Sequence, residues 1–241
     1  MDNLLGEFMG TAVLVVFGCG VCANMSLTQS KGNGGGWICI ATGWGFAVTL
    51  GVFTATTLGA PQGDLNPAVT LAKMMAGIYT PVQFAATSVA QLVGGIFGAF
   101  LVWLAYLPHW AKTKDPATKL GVFATGPAIR SPFANFLCET IATFFLMFII
   151  WMIFSKPVGA LVPGYGPDIV GVLIWALGLS LGGPTGYAMN PARDLGPRIA
   201  HAILPIAGKG GSDWGCAWVP IVGPLCGGAL AYVVATACGV L

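Results

Sequence analysis

Apolar runs about as long as a bilayer is thick follow one another along this chain, with short polar or glycine-rich breaks between them. Charge-poor stretches cover 4–25, 37–58, 82–107, 133–155, 168–185 and 217–240. A helix crosses the roughly 30 Å hydrocarbon core with about 20 apolar residues, so each stretch predicts a transmembrane helix. Two more segments, near 66–77 and 190–201, are too short to cross. Both open on the same tripeptide, Asn66-Pro67-Ala68 and Asn190-Pro191-Ala192. Asn caps free N–H groups, and Pro is tolerated at the first helical position because its missing N–H has no partner there. Each tripeptide therefore predicts the start of a half-helix within the membrane. The fold class that follows is an all-α membrane protein with six transmembrane helices and two re-entrant half-helices.

Composition agrees. The chain is 56% hydrophobic and 7% charged, whereas a soluble domain carries about 25% charged residues. A net charge of +2 gives no footing for a nucleic-acid partner. Residues 1–3 lack a basic n-region, so the first apolar run reads as a span and not as a cleavable signal. Seven cysteines fall mostly inside or at the ends of spans. Cys19 and Cys22 share one helical face, but no Cys/His metal spacing accompanies them. They read as free buried thiols, and neither a metal site nor a cofactor is expected.

The two halves of the chain match in order. Glu7-x-x-x-Thr11 matches Glu139-x-x-x-Thr143, and the segment 44–49 resembles 175–180. The Asn-Pro-Ala motifs follow, and then Gly94-x-x-x-Gly98 matches Gly223-x-x-x-Gly227. One channel domain, 1–241, would thus hold repeat one at about 1–107, a connector at about 108–132 and repeat two at about 133–241. Three spans per half is an odd number, so the second half must enter the membrane from the opposite side. Such inverted repeats place their functional site near the midplane, where the half-helices meet. Gly6-x-x-x-Gly10 and Gly178-x-x-x-Gly182 join the other glycine pairs as sites of close helix approach. The connector, with His109, Lys112, Lys114, Asp115, Lys119 and Arg130, reads as solvated.

Charges inside the spans are the candidate chemistry. A charge at bilayer depth costs roughly 2.5–3.5 kcal/mol on insertion scales, so Arg193 and Asp194 need partners or a role. Glu7 and Glu139 read as buried carboxylates that accept N–H groups from the broken-helix loops, not as ion sites. Asp64 reads as a cap at the positive dipole end of the first half-helix. His201 reads as an ordinary helix-end residue, and Lys73 and Lys156 as cytoplasmic surface charges.

These residues resemble the aquaporin superfamily and, within it, the glycerol facilitators, across essentially the whole chain. The paired Asn-Pro-Ala motifs with Glu7 and Glu139 carry the first likeness. Asn-Pro-Ala-Arg193-Asp194 with Arg198 beyond it, Pro220-Ile221 and Trp103 carry the second. The resemblance implies a passive channel in the cell membrane, a homotetramer with one pore per protomer and cytoplasmic termini. It implies small neutral solutes as cargo: glycerol, with urea, dihydroxyacetone and undissociated lactic acid as further candidates, and water alongside. It also implies a filter of Trp44, Gly178, Tyr187 and Arg193, where Gly178 leaves a gap between two aromatic walls. Asn66 and Asn190 would donate at the midpoint, and carbonyls of Gly63, Asp64, Leu65, Tyr187, Ala188 and Met189 would form a stripe of acceptors. Two positions depart from the family pattern. Asp64 stands where His is common, and Trp44 lies further from Asn66 than expected, which leaves Phe46 as a second candidate for the wall. The connector's basic excess argues for a cytoplasmic location, whereas the resemblance puts it outside. Few charges flank any span, so the resemblance decides.

Two other functions stay open at this level. An alternating-access transporter also uses inverted repeats and half-helices, but it would want titratable or ion-coordinating groups at the midplane. A membrane enzyme is weaker, because no Ser/His pair, metal cluster or paired carboxylates stand out.

Overall fold

A computed structural model describes residues 3–162 and 164–241, all helix and loop, with no strand among them. Part of the N-terminal signal argument concerns residues 1–2, which lie outside this range. In chain order the helices are α1 (Leu4–Ser26), α2 (Gly36–Thr57), α3 (Pro67–Met75), α4 (Pro81–Ala105), α5 (Leu107–Lys112), α6 (Pro116–Phe123), α7 (Pro132–Ile153), α8 (Gly166–Leu181), α9 (Pro191–Ile203) and α10 (Val219–Ala237). Five of them, α1, α2, α4, α7 and α10, are long and apolar enough to cross a membrane. Apolar α8 completes six, and α3 and α9 are the short pair.

Proline explains where most helices begin. Every helix from α3 onward carries Pro in its first two positions. There it forfeits no hydrogen bond, and its fixed φ suits the first turn. Thr80 adds a capping box with Gln83 at the start of α4. Helix α8 stops at Leu181, four residues before the predicted end of its span. Pro184 disfavours helical backbone at the residue before it, although the apolar run itself gives no sign of a stop.

Glycine explains how closely the long helices approach. A Cβ at Gly94 would collide with the Phe8 carbonyl, and one at Gly98 would lie 2.5 Å from the Ala12 carbonyl, so α4 lies directly on the α1 backbone. Gly223 and Gly227 do the same for α10 on α7, against Glu139 and Thr140. Gly6 and Gly10 seat α1 on α2 and its following loop. The fourth pair differs: Gly178 and Gly182 face the rings of Tyr187 and of Trp37 on α2, not the backbone of a neighbouring helix.

The connector corrects the expectation of a solvated loop. It contains α5 and α6, and Trp110, Lys119, Val122 and Phe123 are buried. Trp110 stacks on Phe123, and Lys119 donates to the carbonyls of Ala207 and Gly208. Asp115 caps α6 by accepting from the Ala117 and Thr118 N–H groups. The Thr118 hydroxyl, followed by those two N–H groups, holds the Asp115 carboxyl below its ordinary range.

The backbone approach makes a direct prediction. Gly94→Val and Gly227→Val each force a branched side chain into a carbonyl, and overpacking of this kind costs about 1–3 kcal/mol. Both variants should lose folding yield and thermal stability in detergent. Gly20→Ala, where a Cβ meets open space, should not. Equal melting curves for all three would show that these crossings are not tight.

A polar path between two half-helices

The site is built on two buried carboxylates. Glu7 of α1 accepts the N–H groups of Asp64 and Leu65 at 2.9 and 2.8 Å. Gln91 of α4 donates to the same carboxylate and to Thr70. Glu139 of α7 accepts the N–H groups of Ala188 and Met189 at 3.0 and 2.8 Å, and the Thr185 hydroxyl at 2.6 Å. Both carboxylates therefore hold loop N–H groups.

The held loops have unusual backbones. Gly63, Leu65, Gly186, Tyr187 and Met189 all have positive φ. A bulky residue in that region is strained by about 1–3 kcal/mol and persists only where its surroundings over-determine it. Asn66 and Asn190 then return to extended backbone and cap α3 and α9. The Asn66 side chain accepts from Ala68 N–H, and that of Asn190 accepts from the N–H groups of Ala192 and Arg193. Each Asn also reaches across: Asn66 Nδ2 donates to the Met189 carbonyl at 2.8 Å, and Asn190 Nδ2 to the Leu65 carbonyl at 2.7 Å. The starts of the two half-helices are thereby pinned together. Behind them, Ala68 packs at Gly228 of α10 and Ala192 at Gly95 of α4. The two remaining motif residues, Pro67 and Pro191, are buried at the first helical positions.

A cavity of about 460 Å³ runs past this junction. Its lining includes Gly63, Asp64, Leu65, Tyr187, Ala188 and Met189, together with both Asn residues, Trp44 and Arg193. Apolar side chains such as Leu14, Val48, Val52, Leu146 and Ile174 supply much of the rest. The proposed acceptor stripe needs one amendment. The carbonyls of Leu65 and Met189 already accept from the opposite Asn, so part of their capacity joins the halves.

Trp44 and Phe46 are clearly separated. Trp44 is 3% exposed and lies against Arg193, whose guanidinium carbon is 3.7 Å from its ring centroid. Phe46 is 65% exposed on the outside of the bundle. The Trp44 ring sits in a notch left by Gly18, and its indole N–H donates to the Cys22 thiol at 3.4 Å. Arg193 also donates to the Phe123 carbonyl at 3.5 Å. Gly178 requires a correction. A Cβ there would lie 2.7 Å from Tyr187 Cζ and 2.8 Å from its Oη. The absent side chain does not leave an open gap; it makes a seat for the phenol. Trp37, unremarked in the sequence, donates to the Gly178 carbonyl at 2.9 Å and meets Tyr187 edge-on.

Asp194 pairs with Arg198 one turn on, at 2.8 Å, and accepts from Thr125 N–H and Oγ1. Arg198 is fully buried and donates to the carbonyls of Ser212, Asp213 and Thr125. These two charges thus tie the connector and the α9–α10 loop to α9. His201 lies in the last turn of α9, the helix-end place the sequence suggested, and is buried there against Ser212 and Phe123. Phe123 and Thr125 escaped sequence reading, although Asp115-Pro116 is a helix-start signal that would have found α6.

Asp64 differs from expectation as well. Asn66 is the cap, whereas Asp64 accepts from Thr70 Oγ1 at 3.0 Å and pairs with Lys73. Lys73 is consequently a mostly buried, cavity-lining residue and not a surface charge. Lys156 is exposed.

Comparison with known proteins places this geometry. The family model of the major intrinsic proteins matches residues 1–234. The chain belongs to the major intrinsic protein family. Glycerol uptake facilitator protein 3 of Lactiplantibacillus plantarum is 54% identical over 95% of this chain and 93% of its own length. A protein from the same organism named D/L-lactic acid transporter is 41% identical, over 96% of this chain and 95% of its own. The solved aquaglyceroporin of Plasmodium falciparum superposes with a TM-score of 0.84 at 29% identity, covering 97% of this chain and 94% of that one. This major intrinsic protein is therefore a multi-pass membrane protein with the aquaporin fold.

Removing either carboxylate should damage this major intrinsic protein as a scaffold. A hydrogen bond to a charged group contributes about 1.5–3 kcal/mol, and a donor left buried and unpaired adds to the loss. Glu7→Ala and Glu139→Ala should each reduce membrane insertion and thermal stability before they change selectivity. Normal yield and stability in both would reassign the carboxylates.

Proposed function

We propose that this protein is a passive channel for glycerol and other small uncharged solutes, with water as co-permeant and with ions and protons excluded. The observation that carries the reading is the corner formed by Trp44, Tyr187 and Arg193 on a cavity lined by both polar and apolar groups. A polyol has one polar and one apolar edge. Its C–H groups suit aromatic faces, and its hydroxyl oxygens suit guanidinium and Asn N–H donors. The names of the relatives support three-carbon hydroxylated cargo. Undissociated lactic acid is the second reading, favoured by the relative named for it; urea and dihydroxyacetone fit the same size and charge.

Exclusion of cations follows from sign. Arg193 and the N-termini of α3 and α9 face the path, and each helix start carries about half a positive charge. A cation about 5 Å from Arg193 at an effective dielectric near 20 meets roughly 3 kcal/mol of repulsion. The Asn donors orient a central water as acceptor and interrupt a proton wire. Alternating access finds little support, since the junction offers Asn, Pro and Ala and no titratable group. We further propose cytoplasmic termini, an external connector and a homotetramer with one pore per protomer.

Stopped-flow measurements on protein-containing vesicles test the reading, across glycerol, urea, dihydroxyacetone, water and lactic acid at low pH. Glycerol flux should be independent of sodium and proton gradients. Gradient-driven accumulation would replace the channel with a transporter, and ohmic current absent from empty vesicles would remove ion exclusion. Gly178→His should push the Tyr187 ring into the path. Glycerol flux should fall about tenfold, since roughly 1.4 kcal/mol of barrier is one decade, while water loses less. Unchanged glycerol flux in this variant would take Gly178 out of the filter.

A further inference from the structure

The main cavity holds a second charged site, away from Arg193. Lys73 lies near the end of α3, seven residues beyond Asn66, or about 10 Å at 1.5 Å per residue. Asp64 and Lys73 both line the cavity, as do Gln62, Ile78 and Phe154. Pro61 and Gln62 are exposed, so this end is the mouth on the side of the α2–α3 loop. The Asp64 carboxylate has no free face: its side chain is 0% exposed, and its oxygens receive Lys73 and Thr70. The ammonium is different. A lysine has three donors, and among the described residues two are engaged, by Asp64 and by the Gln62 carbonyl at 3.3 Å. The side chain keeps 11% exposure, on the cavity.

We propose that Lys73, held by Asp64, is a solute-recognition residue at this mouth, and that its open N–H takes a hydroxyl oxygen of a neutral polyol before the solute reaches the Asn junction. The inference rests on the channel reading and adds a specificity-determining residue to it. Three features choose the ligand class. The open group is a donor, so the ligand must bring an acceptor. Asp64 cancels the lysine charge at contact distance, which removes the advantage of an anion over a neutral oxygen. Ile78, Val52 and Phe154 give the carbon edge of a polyol an apolar wall. The pair also has a fixed position. Asp64 bonds Thr70, Thr70 accepts from Gln91, and Gln91 donates to Glu7, which holds the Asp64 and Leu65 N–H groups. The donor is thus set on the same framework as the Asn66–Asn190 junction, in line with the path.

Removing Lys73 alone would strand a buried carboxylate, so the test uses neutral pairs. Asp64→Leu with Lys73→Gln keeps an N–H donor at the mouth; Asp64→Leu with Lys73→Met removes it. Each is reconstituted in vesicles, and glycerol and water fluxes are normalised to inserted protein. The donor-free pair should lose about fivefold in glycerol flux with water within twofold of the wild type, and the Leu/Gln pair should recover most of the glycerol flux. Equal loss of water and glycerol, or unchanged glycerol flux in the donor-free pair, would overturn the proposal while leaving the channel reading intact. A wild-type protein without glycerol flux would remove both. If the double variants fail to insert, 15N-lysine-labelled wild type in detergent decides. The Lys73 Nζ signal, assigned with Lys73→Arg, should shift saturably with glycerol, and an unmoved signal would sink the idea.

Discussion

Backbone N–H groups without water are the constraint on which this structure turns. The chain leaves helical geometry twice at membrane depth, at 63–66 and 186–190, and every amide freed there must find an acceptor inside the protein. Glu7 and Glu139 meet that demand from neighbouring helices, each with two carboxyl oxygens at hydrogen-bond distance. Their N–H bonds fix left-handed conformations at Leu65, Tyr187 and Met189 that such residues rarely adopt alone. Once the backbone is held that way, the Asn caps, the crossed Asn–carbonyl bonds and the lining of the cavity all follow.

The corner of Trp44, Tyr187 and Arg193 depends on residues outside the cavity lining. Gly18 makes room for the Trp44 ring, and Cys22 occupies its indole N–H. Gly178 makes room for Tyr187, and Trp37 braces that ring from the side. The Arg193 guanidinium lies over the Trp44 ring, with the Phe123 carbonyl as an acceptor. Asp194 and Arg198 bind two loops, the connector and the α9–α10 loop, to α9. A broad aromatic slot with one cationic edge thus stands on small residues and carbonyls from four helices and a connector.

Much of this was legible in the sequence because it is local. Span length, proline at helix starts and the Asn-Pro-Ala caps act within one turn, and the paired Glu residues repeat with them. What escaped depends on long-range contact. The Asp64–Lys73 pair joins a loop to the far end of a half-helix, and neither residue advertises its partner. Phe123 and Thr125 sit in a connector whose charges suggested solvent, yet Lys119 buries its ammonium among carbonyls. The Gly178–Gly182 pair looked like the other close-approach motifs, but it packs aromatic rings. Glycine spacing records closeness without naming the neighbour. The end of α8 was hidden because its apolar run outlasts its helix.

The crossed bonds of Asn66 and Asn190 are isologous. The same side-chain group from each half meets the same loop carbonyl of the other, which is the self-complementary pattern that two identical subunits form about a two-fold axis. Neither bond needs anything that distinguishes one half from the other. A half-length polypeptide with one held loop and one short helix could therefore close this junction by pairing with its own copy. In that sense the centre of the molecule is a dimer interface that now happens to be covalently continuous, and sequence divergence between the halves is freest where it leaves that shared contact untouched.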